Sequence, residues 1–319
     1  MLSLVLSPFP FPFPLPFKRV THWLSFPYPQ ADSNITYRKR NLLLLHASSS
    51  SSESESEEYH VLSAIKSEYN DILILDTPNA RMLLLDSTHA VHSILNKDHH
   101  KWTGSYWDEF TTLPPIIPKG PIAILGLGGG TAAHLMLSLW PSLHLEGWEI
   151  DPILIDKARQ HFGLSELEKH NTAGGILHIH IRDALSSSGN DSGRYAGIIV
   201  DLFSEGKILP QLQEVATWLK LNDRLMAGGR FMVNCGGVYE TSSPKSVDEN
   251  WVNNSTLKAL SEAFPGQVSW KRLPETQGAN YLALTGPFPD LTLWSTNVPP
   301  HPFPLSENVR KWKPCATFP

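Results

Sequence analysis

Residues 122–136 read IAILGLGGGTAAHLM, a β-branched run, then Gly126, Gly128, Gly129 and Gly130, then a stretch with helical spacing. A strand that turns through glycines into a helix gathers backbone N–H groups at one point, and missing Cβ atoms let a ligand come close. Nucleotides use such loops, but so does a tight turn without a ligand. The dinucleotide fingerprint GxGxxG is broken here, because Thr131 stands at its third glycine. Three acidic residues follow at comparable places. Glu149 closes LEGWE about 20 residues beyond the loop, the distance at which a carboxylate accepts from ribose hydroxyls. Asp183 ends ILHIHIRD, where it can accept from an adenine amino group, and Asp201 ends AGIIVD, facing the reacting end of such a ligand. The plainer alternatives are a solvated strand end for Glu149 and a turn or helix cap for Asp201.

These residues require a particular frame. Strands at 122–127, 144–149, 176–181, 196–202 and 229–235 alternate with helical stretches, which implies parallel pairing through crossover helices. All four features then lie at strand carboxyl ends, the edge where open α/β sheets bind ligands. Asp151 and Pro152 supply a cap and a first-turn proline for a helix with Leu154, Ala158 and Phe162 on one face. A further helix is expected over 252–264, then strands near 267–273 and 280–285 as a terminal antiparallel hairpin. Ahead of this, YHVLSAIKSEY, DILILDT, ARMLLLDS and AVHSIL read as short strands of a small antiparallel unit. After Pro287 proline is frequent and no period is evident, so a loosely packed tail is expected, with Trp294 and Trp312 as candidates to dock on the domain.

Composition narrows the function classes. The chain has 319 residues, 41% hydrophobic and 18% charged, with a formal charge of −5. It can bury a substantial core and lacks the basic excess that nucleic-acid binders turn toward phosphates. Cys235 and Cys315 stand alone, without disulfide or zinc spacing. His178 and His180 alternate along one strand and His99–His100 sit in a loop, but no carboxylate or cysteine spacing completes a metal site. Trp102, Tyr106, Trp107 and Phe110 either line a substrate entrance or pack the β-unit on the sheet.

The first residues are of another kind. MLSLVLSPFPFPFPLPF alternates proline with apolar residues and cannot form a membrane span. Up to Ser52 the only acid is Asp32, against five Lys and Arg, which is the signature of an organelle transit peptide; plastid import is the first expectation, with mitochondrion and cytoplasm as alternatives. SSSSSESESEE (48–58) is too polar to order itself and reads as a linker. The expected organisation is therefore a transit peptide and linker at 1–58, a β-unit at 59–110, a nucleoside-binding domain at 111–287 and a Pro-rich tail at 288–319.

The succession ILGLGGGT, WEIDP, IRDA and IIVDLF resembles the spermidine synthase group of the class I S-adenosylmethionine-dependent transferases. SEYNDILILDTPNARMLLLDS followed by YWDEF is similar to the N-terminal unit of those synthases, so the likeness runs over about 59–287. It implies an α/β fold: a Rossmann-like methyltransferase sheet with helices on both faces, preceded by the antiparallel unit, which by analogy offers a homodimer surface. It further implies that Gly126, Gly128 and Gly130 line the nucleoside, Glu149 binds its ribose, Asp183 holds the adenine, and Asp201 is the base in aminopropyl transfer.

The resemblance also has departures. The synthase loop usually reads GGGDGG, and Gly129 stands at its Asp. Synthases carry DSSDP where this chain has Asp201-Leu202-Phe203-Ser204-Glu205, and YHE becomes Tyr106-Trp107-Asp108. A diamine is doubly charged and needs well-placed carboxylates, several of which are missing. The expectation is a transferase using S-adenosylmethionine or its decarboxylated form on a small-molecule acceptor, with methyl transfer favoured over aminopropyl transfer. A non-catalytic scaffold and, behind it, an NAD oxidoreductase are the readings from other classes.

Overall fold

The computed structural model describes residues 59–88, 90–97, 101–186, 194–237, 250–274, 277, 279–300 and 305–315. Residues 1–58, with their targeting and linker expectations, and His99–His100 lie outside these.

Four short strands come first: β1 (His60–Lys66), β2 (Asp71–Asp76), β3 (Ala80–Leu84) and β4 (Ser93–Asn96), paired antiparallel in sequence order. Alternation in β2 turns Ile72 and Ile74 to one face, where with Leu83 they pack on Leu154 and Phe162 of the next domain. After α1 (Tyr106–Phe110), the chain alternates through β5 (Ile122–Leu125), α2 (Thr131–Leu139), β6 (His144–Glu149), α3 (Pro152–His161), α4 (Leu164–Leu167), β7 (Ile176–Ile181) and β8 (Tyr195–Val200). A small hairpin, β9 (Phe203–Ser204) and β10 (Lys207–Ile208), precedes α5 (Val215–Asn222), β11 (Leu225–Asn234), α6 (Ser255–Ala263), β12 (Val268–Arg272) and β13 (Tyr281–Thr285). The last elements are α7 (Leu291–Asn297), α8 (Leu305–Val309) and β14 (Lys313–Pro314).

The main sheet has the order β14-β12-β13-β11-β8-β5-β6-β7. β11, β8, β5, β6 and β7 are parallel, and β13 runs against β11. The chain starts at β5, moves outward through β6 and β7, then returns to β8 on the other side. That reversal leaves a crevice at the carboxyl ends of β5 and β8, where open sheets bind ligands. β5 and β8 are buried along their whole length, as strands covered on both faces must be. One face is covered by α1, α2, α3, α7 and α8, the other by α5 and α6. Among the described residues no helix is long and apolar enough to cross a membrane.

Two expectations are corrected in detail. The helix expected from 252 starts at Ser255, because Asn254 caps it by accepting from Leu257 N at 3.0 Å, and a 3-10 turn occupies Asn250–Asn253. The described part of the tail is packed rather than loose, with Trp294 and Trp312 docked on the domain as expected. Asp290 caps α7 by accepting from the backbone N–H groups of Thr292 and Leu293, Trp294 and Trp312 are 1% and 2% exposed, and the Trp294 indole donates to Thr112 O at 2.7 Å. Prolines bound these short elements instead of breaking them, and helices of one or two turns are too brief to show a period.

Candidate functional site

The glycine loop lies against the end of β8. Gly126 has φ +89°, and a Cβ there would stand 2.2 Å from the backbone oxygen of Asp201, so no other residue fits. This contact joins two of the candidate residues directly. Gly130 caps α2, and Thr131 begins it. Thr131 Oγ1 accepts from Ile94 N at 2.8 Å and donates to Ile94 O at 3.0 Å, so the residue that breaks the dinucleotide fingerprint fastens the loop to β4. At Gly129 the backbone N–H donates to Ser93 Oγ at 2.8 Å, and a Cβ would meet Ser93 Cβ at 2.9 Å with Phe162 close behind.

Glu149 reaches back to this loop from the end of β6. Its Oε2 accepts from Gly128 N at 3.0 Å, and its Oε1 from Ile150 N at 2.9 Å and Asp151 N at 3.2 Å. Burial raises its pKa, and the three hydrogen bonds oppose the rise. A carboxylate has about four acceptor positions, so Oε2 keeps room for a hydroxyl. Asp151 caps α3 as expected, and its Oδ2 accepts from Ser67 Oγ at 2.5 Å and Asn70 Nδ2 at 2.7 Å in the β1–β2 turn. Asp183 is exposed at the end of β7, where its Oδ1 accepts from Leu185 N at 2.8 Å.

Asp201 is the most perturbed acid at this edge. Burial pushes its carboxyl up to about 6, against hydrogen bonds from Asn234, Tyr106 and Trp107 and the nearby His92, which favour the charged form. The Asn234 amide donates to its Oδ1 at 2.9 Å. Burial and then the charge of Asp201 raise the Tyr106 hydroxyl well above its ordinary value. Asp201 is not a helix cap, since the β9–β10 hairpin follows it. An acid that keeps its proton to about pH 6 and ionises just below neutral is matched to accepting one near pH 7.

Three neighbours of Asp201 and the loop were not evident from sequence. Asn234 ends β11 beside Asp201. His92 Nε2 lies 3.3 Å from Asp86 Oδ2, and its Nδ1 accepts from Leu85 N at 3.3 Å. His92 draws the Asp86 carboxyl down to about 2, with Thr88 helping, although burial acts in the other direction. Ser93 closes the loop. The aromatics ahead of β5 pack together, Trp107 and Phe110 in the core with Trp102 and Tyr106 against it, and Tyr106 and Trp107 also hydrogen-bond Asp201. His180 stacks on Trp148 with centroids 4.5 Å apart and pairs with Glu146 at 2.9 Å, a structural role.

No family model matches the chain. It is 26% identical over 202 residues to a probable polyamine aminopropyl transferase of Bifidobacterium longum, covering 61% of this chain and 43% of that protein. It is 28% identical over 115 residues to a polyamine aminopropyltransferase of Vibrio vulnificus (35% and 36%), and 26% identical over 166 residues to the eEF1A lysine and N-terminal methyltransferase of Mus musculus (48% and 21%). The chain thus spans less than half the length of the curated relatives it matches. Among solved structures, a probable spermidine synthase from Corynebacterium glutamicum superposes with TM-score 0.53 at 16% identity, over 74% of this chain and 88% of that one. With the strand order and the antiparallel unit in front of it, this likeness shows a Rossmann-like fold of the spermidine synthase type.

Proposed function

We propose that this chain is a transferase that binds S-adenosylmethionine, or its decarboxylated form, and passes a group from the sulfonium to a small-molecule acceptor. Gly126, Gly128 and Gly130 line the nucleoside, Glu149 takes a ribose hydroxyl, and Asp183 takes the adenine amino group. The observation that carries this reading is the abutment of Gly126 on Asp201, which sets a buried, proton-accepting carboxyl beside the nucleoside loop at the switch point.

Methyl transfer is the favoured chemistry. The acceptor's lone pair attacks the methyl carbon, the carbon–sulfur bond breaks with its electrons going to sulfur, and Asp201 receives the acceptor's proton. Alignment of the acceptor with that carbon supplies much of the rate. Gly129 and Ser204 stand at positions that are acidic in the synthases the sequence resembles, which weighs against aminopropyl transfer, and a Cβ at Gly129 would meet Ser93 Cβ at 2.9 Å. Aminopropyl transfer is the second reading, supported by the retained Asp201 and by the names of two relatives. A scaffold that keeps the fold without turnover is the third. The acid-poor residues 1–52 support import into a plastid.

The deciding experiment is calorimetric titration of the full chain with S-adenosylmethionine, its decarboxylated form and NAD. Tighter binding of S-adenosylmethionine supports methyl transfer, and tighter binding of the decarboxylated form restores aminopropyl transfer. Failure of both removes the roles of Gly126, Glu149 and Asp183.

A further inference from the structure

β13 runs against β11, so its first residues lie at the carboxyl edge of the sheet, where the parallel strands end. Asn280 stands there, immediately before β13, and Asn234 ends β11 opposite Leu282. Three side chains from three elements form one line. The Asn280 amide donates from Nδ2 to Asn234 Oδ1 at 3.0 Å, and the Asn234 amide donates from Nδ2 to Asp201 Oδ1 at 2.9 Å.

The backbone sets the direction of this line. Gly236 N donates to Asn234 Oδ1 at 3.1 Å, and a backbone N–H can only donate, so the amide turns its oxygen to Gly236 and its NH₂ to Asp201. One donor would leave the amide free to swing about a single hydrogen bond. The second, from Asn280, comes from the neighbouring strand and fixes its plane. Asn280 is itself held, because its carbonyl accepts from Leu273 N at 2.9 Å and Ala279 N donates to Pro274 O at 3.1 Å. Ala279 takes φ +56°, a left-handed conformation that a residue with a Cβ enters only where its surroundings impose it.

We propose that Asn280 is a positioning residue for Asp201: by clamping Asn234 it keeps an N–H aimed at the carboxyl, which favours the carboxylate. Tyr106 of α1 and His92 ahead of β4 are the titratable groups that bear on Asp201, and Trp107 gives it a further hydrogen bond. Further along α1, Glu109 pairs with Lys271 of β12 at 2.5 Å, and the two, 3% and 2% exposed and opposite in sign, bring no net charge to Asp201. Asn234, Tyr106 and Trp107 take three of about four acceptor positions on the carboxylate, leaving one for an incoming proton. The clamp stands on geometry, and its bearing on proton transfer from the acceptor rests on the transferase reading.

The test follows the side-chain carboxyl carbon resonance of Asp201 in the full chain as pH is varied, the signal being assigned by its loss in Asp201→Asn, with calorimetric S-adenosylmethionine binding measured in parallel. Asn280→Leu keeps the size of the side chain and removes the donor. The Asp201 midpoint, near 6 in the unaltered chain, is expected to rise by about half a pH unit, a roughly threefold gain in proton affinity. In an Asn234→Ala background the same change should move it no further, because the link is already cut. A merely structural role for Asn280 would lower stability and leave the midpoint in place, so an unmoved midpoint overturns the proposal. An equal rise in the Asn234→Ala background also overturns it, since Asn280 would then act without Asn234. Asn280 is half-buried in a turn, so its variant folds, and it decides the matter alone if Asn234→Ala does not fold. A raised midpoint without S-adenosylmethionine binding keeps the clamp and removes the transferase reading, and an unmoved midpoint with binding intact removes the clamp alone.

Discussion

The hydroxyl of Ser93 accepts the backbone N–H of Gly129 at 2.8 Å, so a side chain of the antiparallel unit fills the place where residue 129 would project its own. The glycine loop is therefore shaped by two parts of the chain, and its glycine is a fit to Ser93 as well as a turn.

Gly129→Asp follows from that contact. Its Cβ would lie 2.9 Å from Ser93 Cβ, an overpacking expected to cost about 1–3 kcal/mol. Denaturant midpoints of Gly129→Asp and of the double variant with Ser93→Gly check this, and the double variant should recover part of the loss.

Asp201 makes stability depend on pH. Its folded carboxyl titrates near 6 against 3.8 for the free side chain. The folded pKa is raised, so its contribution is complete below about pH 4 and is lost as pH rises through 6. The change is about 3 kcal/mol at most. Unfolding curves between pH 4 and 7 should show this decline, and Asp201→Asn should flatten it. Under the proposed chemistry, single-turnover transfer should rise with pH through the same range. Asp201→Asn should slow it by about 10²–10⁴-fold.

The buried pair of Glu109 and Lys271 predicts an asymmetry. Lys271→Met leaves a carboxylate stranded and should destabilise the fold by about 3–5 kcal/mol, while the double variant with Glu109→Leu should lose much less. Urea unfolding of the single and double variants reads the difference directly.

Glu149→Gln tests the nucleoside site. A neutral amide accepts more weakly from a ribose hydroxyl and from Gly128, and S-adenosylmethionine affinity should fall about tenfold. An unchanged calorimetric constant would remove Glu149 from the site.

Much of this arrangement was legible in the sequence because it is local. The strand ending at Leu125, the cap at Asp151 and the acids at 149, 183 and 201 each follow from a short window of residue types. Their common edge follows from the rule that parallel strands with crossover helices expose one set of ends. The partners were harder to read, since Ser93 meets Gly129, Tyr106 meets Asp201 and Glu109 meets Lys271 only after the chain has folded on itself. In the tail the docking of Trp294 and Trp312 was legible, but the helices that carry them were not. α7 and α8 are too short for periodicity, and what holds them is the burial of Trp294 and Trp312 in a core built by other elements.

The face formed by Ile72, Ile74 and Leu83 is finished only by Leu154 and Phe162, which are synthesised much later. At about 5–20 residues per second the emerging chain carries this sticky, half-built sheet for seconds before its cover arrives. During synthesis, then, the hazard of aggregation and the demand for chaperones fall on the part of the domain that is made first.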